Sequence, residues 1–215
     1  MDELLLRQSN VLFEPIREIA VPICRAHGLS PAHIQFLRKT NGLSAWRGAL
    51  HIFGVGAELD PTHDLVRWNG TGGWRSNFGE IAGQSVAFAE TCFGDQFILR
   101  DGGICKFLAE TGHLEFVANS FDGWVSAVTS EPDRWIEFDI ASAWARNAGI
   151  SEIPIGKHIF PQVPFSLGGS IEGASDACTI DALEDMRFKG QLATQLSRVA
   201  PGEKVSLQTI NFPVH

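Results

Sequence analysis

The sequence predicts an α+β fold, with a central antiparallel β-meander flanked by helices and followed by a small α/β extension. Between residues 85 and 119, apolar and polar residues alternate in four short runs separated by turn dipeptides. Helical apolar spacing precedes and follows this region. The chain has 215 residues, of which 44% are hydrophobic, which argues against global disorder. We expect a sheet-centred domain at 1–149 and a proline-hinged extension at 150–215, packed on the first domain.

Two helices are predicted before the sheet. The first spans residues 10–27, since its apolar residues recur at helical spacing, and Pro22 should kink it; these residues are Leu12, Ile16, Ile19 and Ile23. In the second helix, Ser30 precedes Pro31 as an N-cap precedes a first-turn proline. Ile34, Phe36 and Leu37 supply its buried face, and Asn41-Gly42 ends it.

Residues 43–84 form a long and mostly irregular segment, with one predicted strand at Leu50–Phe53. The segment holds glycines, tryptophans and scattered apolar pairs. Within it, Asn69 to Trp74 reads NGTGGW, so flexible positions precede a large aromatic residue.

The meander itself is predicted from four strands. They cover Val86–Cys92, Gln96–Arg100, Ile104–Leu108 and Leu114–Ala118. Asp101-Gly102 between the second and third suits a type I′ hairpin turn, because both positions tolerate positive φ. Apolar residues point to both faces, and we therefore expect both faces of the sheet to be at least partly covered.

The remaining elements are predicted from proline and capping signals. Asp122 is expected to cap a short helix, and Pro132 to open another that runs to about Asn147. Residues 150–176 hold several prolines and read as an extended connector. A strand at Cys178–Ile180, a helix at Ala182–Val199 and a strand at Lys204–Ile210 complete the extension.

Composition limits the classes of partner and location. Seventeen basic and twenty-five acidic residues give a net charge of −8, which argues against electrostatic capture of nucleic acid or of an anionic membrane. A basic protein partner is permitted. No apolar stretch is long enough for a membrane span or a signal-peptide core, and the four cysteines form no CxxC pair. We expect a cytoplasmic protein with reduced thiols.

The sequence contains no recognisable catalytic or metal-binding pattern, so no catalytic residue, metal or cofactor is predicted. HExxH, phosphate-loop, dinucleotide-binding and nucleophile-elbow motifs are absent. Cys24 and His27 are the nearest to a metal pair, but two ligands do not complete a tetrahedral site. Several carboxylates fall in or beside the meander, and we interpret them as turn and solvent-side residues: Glu90, Asp95, Asp101, Glu110 and Glu115.

The tryptophans divide into two groups. Trp124, Trp135 and Trp144 fit helices and are expected in the core. The other three lie beside arginines in the irregular segment, and Trp and Arg are enriched at the energetic centres of protein interfaces. One interpretation is a partner-binding surface made of Trp46, Arg47, Arg67, Trp68, Trp74, Arg75 and Asn77. The other is that the rings plug the end of the sheet beneath a long loop. Stacking of these rings on single-stranded nucleic acid is disfavoured by the net charge.

Short motifs in a particular order resemble the SUKH superfamily, which includes fungal cell-wall assembly regulators of the Smi/Knr type and many bacterial immunity proteins. The resemblance covers about residues 25–130, including the tryptophan-bearing stretch Trp68–Trp74. The matching positions are Pro31, Phe36, Leu37, Asn41, Gly42, Phe93, Gly94, Asp101, Gly102, Gly103 and the run from Phe116 through Ser120 to Phe121. Residues 160–169, reading FPQVPFSLGG, and Asp181 with residues 186–190 look like an extension of some bacterial members, although Gln162 stands where lysine is expected.

The resemblance implies an α+β fold without a catalytic role, and similarity to immunity proteins that bind and block secreted polymorphic toxins. An acidic inhibitor would be steered to a basic toxin domain. The leading hypothesis is therefore a cytoplasmic, non-enzymatic protein-binding module of the immunity type. It would use residues 43–84 and the adjoining sheet edge. The alternatives are an enzyme or small-ligand binder, with a pocket under the 69–74 loop formed by Arg67, Arg75, Asn77 and Glu90, and a regulatory scaffold.

Overall fold

A seven-stranded antiparallel sheet forms the centre of the molecule. The computed structural model describes residues 2–56 and 58–199, so the predicted strand Lys204–Ile210 lies outside the described residues. Each strand pairs with the next along the chain. The strands are β1 (Ser9–Leu12), β2 (Leu43–Ala45), β3 (Leu50–Ile52), β4 (Val86–Thr91), β5 (Gln96–Arg100), β6 (Gly103–Leu108) and β7 (His113–Ala118). The α+β class, the four-stranded meander β4–β7 and the strand near residue 50 are confirmed.

Local chemistry explains why the meander was predictable. Asp101 and Gly102 adopt φ values of 50° and 80°, as the tight turn between β5 and β6 requires. Both faces of the sheet are covered: Phe97 packs against Trp124, and Phe107, on the opposite face, packs against Trp74. Phe116 on the edge strand β7 is the exception, since 59% of its surface is exposed.

Eight α-helices surround the sheet in the described residues. They are α1 (Asp2–Arg7), α2 (Val21–Ala26), α3 (Pro31–Leu37), α4 (Leu65–Trp68), α5 (Phe121–Ser130), α6 (Pro132–Ile136), α7 (Phe138–Asn147) and α8 (Ala182–Leu196). The N-cap of α3 is confirmed, since Ser30 accepts a hydrogen bond from the His33 amide. The N-cap of α5 is Ser120 instead of the predicted Asp122.

The predicted kinked helix over residues 10–27 is wrong. The segment starts within β1, and only Glu18–Ala20 (a 3-10 turn) and α2 are helical. Ile19 and Ile23, expected on a buried face, are 82% and 41% exposed. Pairing of Val11 and Leu12 with Ser44 and Leu43 of β2 shows that long-range sheet contacts override the local helical spacing.

The single helix predicted from Pro132 to Asn147 is divided in two at Glu137. This residue has φ 48° and ψ 40°, a left-handed conformation that no residue inside an α-helix adopts. The chain therefore changes direction between α6 and α7, and the Glu137 carboxyl points back to the sheet, where it pairs with Lys106.

The extension is a β-hairpin followed by a helix. Strand β8 (Lys157–Pro161), which fell in the predicted connector, pairs antiparallel with β9 (Ala177–Asp181). Asp181 caps α8 by accepting hydrogen bonds from the Leu183 and Glu184 amides. Side chains of this part lie in the same buried apolar cluster as the sheet: Ile153, Ile159, Ala177, Ala182, Met186 and Ala193. The main sheet and the extension thus share one core.

Candidate functional site

Trp46 and Arg47 form the turn between β2 and β3. Both have positive φ values, 49° and 57°, as the two central positions of a type I′ turn require. Trp46 is only 7% exposed, and the Arg47 carbonyl accepts a hydrogen bond from the Ile153 amide of the extension. These residues therefore shape a hairpin, and the tryptophan offers little surface to a partner.

Trp68 and Trp74 are core residues, so the structure corrects the interpretation that they form a contact surface. They are 1% and 0% exposed. The Trp68 indole N–H donates to Gln96 Oε1 at 2.8 Å, and that of Trp74 donates to Asn69 Oδ1 at 3.1 Å. Trp74 also packs edge-on against Phe107 of β6. The two rings fill the space between the sheet and the loop above it, as the alternative interpretation of the sequence predicts.

The polar residues expected to line a pocket under the 69–74 loop do not converge. Arg67 pairs with Asp64 at 2.9 Å, and Arg75 donates to the backbone carbonyls of Asn69 and Ser85. The amide of Asn77 donates to the Trp74 carbonyl. Glu90 belongs to a different, fully internal cluster. The small-ligand site proposed for this loop therefore has no matching arrangement.

The expectation that Glu90 faces solvent is wrong, because this residue lies at the centre of a buried chain of ionisable side chains. It is 3% exposed. One carboxylate oxygen lies 3.1 Å from His51 Nδ1, and the other accepts from the Gln96 amide at 3.1 Å and lies 3.3 Å from His158 Nε2. The alternation of Glu90 with apolar neighbours along β4 predicts a solvent-facing side chain, but β8 covers this face of β4.

The buried ionic chain continues from Glu90 in two directions, through His51 and through His158. On one side, His51 Nε2 is 2.5 Å from His63 Nδ1. His63 Nε2 donates to the Asn41 carbonyl at 3.0 Å, which makes its Nδ1 the acceptor from His51. On the other side, Asp185 Oδ2 of α8 lies 2.7 Å from His158 Nδ1.

Lys189, one turn after Asp185 on α8, ends the chain of ionisable groups. Its Nζ lies 2.6 Å from Asp185 Oδ2 and also donates to the Phe93 carbonyl. Lys189 is 2% exposed. The cluster therefore fastens the extension to the loop that follows β4, as well as to β4 itself.

Burial and charge set the protonation of this cluster. Burial alone would lower the pKa of His158, but the Glu90 charge and the bond to Asp185 outweigh it and raise the pKa to about 9. Burial would raise the pKa of Glu90, but His158 and His51 bring it to about 2. Burial lowers the pKa of His63 to about 3, and His51 adds to that effect. Ionised Glu90 and cationic His158 thus form an ion pair at neutral pH.

The arrangement is suited to holding structure. A cavity beside His51, Glu90 and His158 has a volume of about 10 Å³, which is close to the space of a single water. A substrate would not fit without a change of conformation. The sequence does not reveal the cluster, because its members come from β3, the loop before α4, β4, β8 and α8. The one available signal was the coverage of both faces of the sheet.

The SUKH-like motif positions have structural roles in this fold. Asn41 is buried and exchanges two hydrogen bonds with the Val55 backbone, at 3.1 and 2.7 Å. Gly42 has φ +83°, and a Cβ there would lie 2.4 Å from the Ile52 carbonyl oxygen. Others are buried or terminate elements, namely Pro31, Phe36, Leu37, Phe93, Gly94, Ser120 and Phe121.

An exposed apolar groove lies between the segment before α2 and the loop before α4. Its volume is about 800 Å³. Its apolar lining comes from Phe13, Pro15, Ile16, Ile19, Ala20, Ile23, Val55, Leu59 and Val66. Ile19 stands in it with 82% of its surface exposed. Arg67 is the one residue of the predicted partner-binding set that lines this groove.

The described residues offer neither a metal-binding cluster nor an activated thiol. In residues 2–56 and 58–199, no group of three or more His, Cys, Asp or Glu side chains could hold a metal ion. Burial raises the pKa of the Cys92 thiol well above its ordinary value, which disfavours the thiolate that a nucleophile requires. No helix in this part of the chain combines the length and apolar character needed to cross a bilayer.

Comparisons with known proteins bear on the fold. No family model matches the chain, and no curated protein matches it. The crystal structure of Atu4351 from Agrobacterium tumefaciens is similar, with a TM-score of 0.57 and 13% sequence identity over 89% of each chain. At this level of identity the likeness shows a shared fold alone. Since the match extends over most of this chain, it includes both the main sheet and the extension.

Proposed function

We propose that the chain is a non-enzymatic protein-binding module and, more narrowly, a cytoplasmic immunity protein of the SUKH-like type that binds and blocks a cognate secreted toxin. The observation that carries the proposal is the exposed groove around Ile19 and Ile23. Contiguous exposed apolar surface with a polar rim is typical of protein-interaction sites. The contact surface is therefore this groove, and the buried tryptophans lie outside it.

Burial of the exposed isoleucine side chains of the groove against a partner would contribute favourable free energy to binding. An isoleucine that leaves water on binding contributes about 1.5–3 kcal/mol, and Ile19 and Ile23 are both available for this. Their neighbours Pro15 and Val66 lie on the same lining. A partner with a matching apolar ridge would bury these side chains together.

Charge supports the choice of partner. The net charge of −8 favours encounter with a basic protein and speeds its association at low salt. Many toxin domains that act on nucleic acids are basic, so an acidic inhibitor suits them. His51, Glu90 and His158 contact one another in the interior, so they are not available to a substrate. This supports a binding role over a catalytic one.

Co-purification with the product of the adjacent gene tests the proposal. The tagged full-length chain should retain that product as a stable complex and restore growth of cells that express it. Ile19→Asp should weaken binding at least tenfold, because it places a charge in an apolar contact. Leu4→Asp is the matched control, since Leu4 is 55% exposed and does not line the groove.

Two results would contradict the proposal. One is a monodisperse chain that binds neither the neighbouring product nor any toxin domain from the same locus. The other is equal loss of binding in the Ile19→Asp and Leu4→Asp variants, which would remove the groove from the contact surface. Binding to a protein without toxicity would instead favour the regulatory scaffold.

A further inference from the structure

A second, smaller pocket opens where the extension meets the meander, and its walls are mostly apolar. Its volume is about 320 Å³. Phe93, Leu108, Ile140 and Phe165 form the apolar walls, and the rings of Phe93 and Phe165 meet edge to face at 5.4 Å. Phe165 belongs to the stretch 160–169, which looks like an extension of some bacterial members of the SUKH superfamily.

Hydrogen bonds hold the Phe165 wall in place. The Glu110 carboxylate accepts from the backbone amides of Phe165 at 3.2 Å and Ser166 at 2.7 Å. Glu110 is 9% exposed. The loop is thus fixed over the end of β6, where it forms one wall of the pocket.

The polar lining has an excess of negative charge. Asp95, Glu110 and Glu137 all line the pocket. Lys106, whose side chain is 2% exposed, offsets one of these charges by pairing with Asp95 at 3.2 Å and with Glu137. Lys189 also interacts electrostatically with Glu110 and Asp95, but its ammonium is held by Asp185 and the Phe93 carbonyl. Because Asp185 balances the charge of Lys189, full ionisation of the lining leaves a net negative charge.

Glu137 is the carboxylate most affected. Burial, opposed by Lys106 and reinforced by Asp95 and Glu115, raises the pKa of Glu137 to about 7. Its side chain is still 27% exposed. An additional cation in the pocket would favour the ionised form of this group, whereas an apolar or acidic occupant would disfavour it.

We propose that this pocket receives a lysine or arginine side chain of the protein partner. The aliphatic stem packs against Phe93, Ile140 and Phe165, and the cationic head is held by the carboxylates of the lining. Long basic side chains combine these two features, an apolar stem and a charged tip. The inference rests on the proposed protein-binding function and adds the chemistry of one contact residue, at a place separate from the Ile19 groove.

A chemical probe tests the pocket without the partner. Nα-acetyl-arginine amide is titrated into the full-length, ¹⁵N-labelled chain, and Nα-acetyl-citrulline amide serves as its uncharged isostere. We expect the arginine compound to shift the amide resonances of Thr111, Ile140 and Ser166 at about 10 mM or below, with at least tenfold weaker binding of the citrulline compound. Equal binding of the two compounds, or no shifts at these amides, overturns the inference.

Variants connect the pocket to the partner. Glu137→Gln should weaken arginine amide and partner binding about tenfold, whereas Glu184→Gln, an equal charge change on exposed α8 surface, should alter neither. Phe165→Ala, at a residue 37% exposed, supplies a second test if Glu137→Gln fails to fold.

The two proposals fail in different ways. If the partner binds wild type, Glu137→Gln and Phe165→Ala equally, the pocket inference is wrong and the proposed function stands. If arginine amide binds selectively but no partner is found, the pocket has the inferred chemistry and the proposed function is wrong.

Discussion

Replacing Glu90 by glutamine tests whether the buried ionic chain holds the extension to the sheet. The variant keeps the size of the side chain but leaves His158 without its strongest charge partner. Removing one partner of a buried ion pair costs about 3–5 kcal/mol. For a chain of this length, about 1 kcal/mol corresponds to roughly 2–4 °C in Tm, so we expect Tm to fall by roughly 6–20 °C.

The pH dependence gives the sharper readout. The pKa of His158 is raised from 6.5 to about 9, so the stabilisation is complete below pH 6.5 and is lost as pH rises through 9. The total is about 3 kcal/mol. Wild-type unfolding free energy should decline across this interval, and Glu90→Gln should flatten the decline.

Below pH 6.5, the free energy of unfolding changes with pH in the opposite direction. Burial lowers the pKa values of His33 and His63 to about 3, so below pH 6.5 the unfolded chain binds protons that the folded chain does not. Glu137 has a pKa near 7 in the folded chain, so between pH 7 and 4.5 the folded chain binds a proton there that the unfolded chain does not. This offsets one of the two histidine protons. Stability should therefore be greatest near pH 6.5.

Urea unfolding monitored by circular dichroism at pH 5.5, 6.5, 7.5 and 9 measures these changes, with Glu184→Gln as the control for charge alone. A wild-type free energy that is constant between pH 6.5 and 9 would refute the reasoning. So would a Glu90→Gln variant that keeps the full decline.

Further predictions concern packing, backbone satisfaction and the pocket. Gly190→Ala should destabilise by about 2–4 kcal/mol in urea unfolding, since its Cβ would lie 2.2 Å from the Asn77 carbonyl oxygen; an unchanged midpoint would show that α8 is loosely packed. Asn41→Ala should cost about 2–4 kcal/mol by the same assay, because it leaves the buried Val55 amide unpaired, and a loss below about 0.5 kcal/mol would contradict this. Arginine-amide affinity, followed by NMR, should fall as pH drops below 7 and Glu137 is protonated in its setting of Lys106, Asp95 and Glu115; pH-independent affinity would exclude Glu137 from the contact.

The predictable part of the fold is the part whose signals are local. In the meander, alternation and the Asp101-Gly102 turn lie within a few residues of the contacts that they specify. Strand β1 was missed because its partner is β2, more than thirty residues later, and because Ile19 and Ile23 supply helical spacing without burial. Apolar periodicity indicates a buried face only when another element covers it.

The candidate site shows the same limit more strongly. Glu90 alternates with apolar residues, which normally indicates solvent on its side of a sheet. Its partner His158 belongs to β8, and the residues around that strand read as an irregular connector. Trp68 and Trp74 were open to two interpretations because the enrichment of tryptophan at interfaces and in cores has one cause, its large apolar surface.

The position of His158 relative to Glu90 has a consequence for synthesis. The ribosome adds His158 68 residues after Glu90, which at 5–20 residues per second takes roughly 3–14 s. During that interval β4 can form its hairpin with β5, but its carboxylate has no cation from the extension. The face of β4 that carries Glu90 is therefore without its covering residues from β8 and α8 until those elements have been translated.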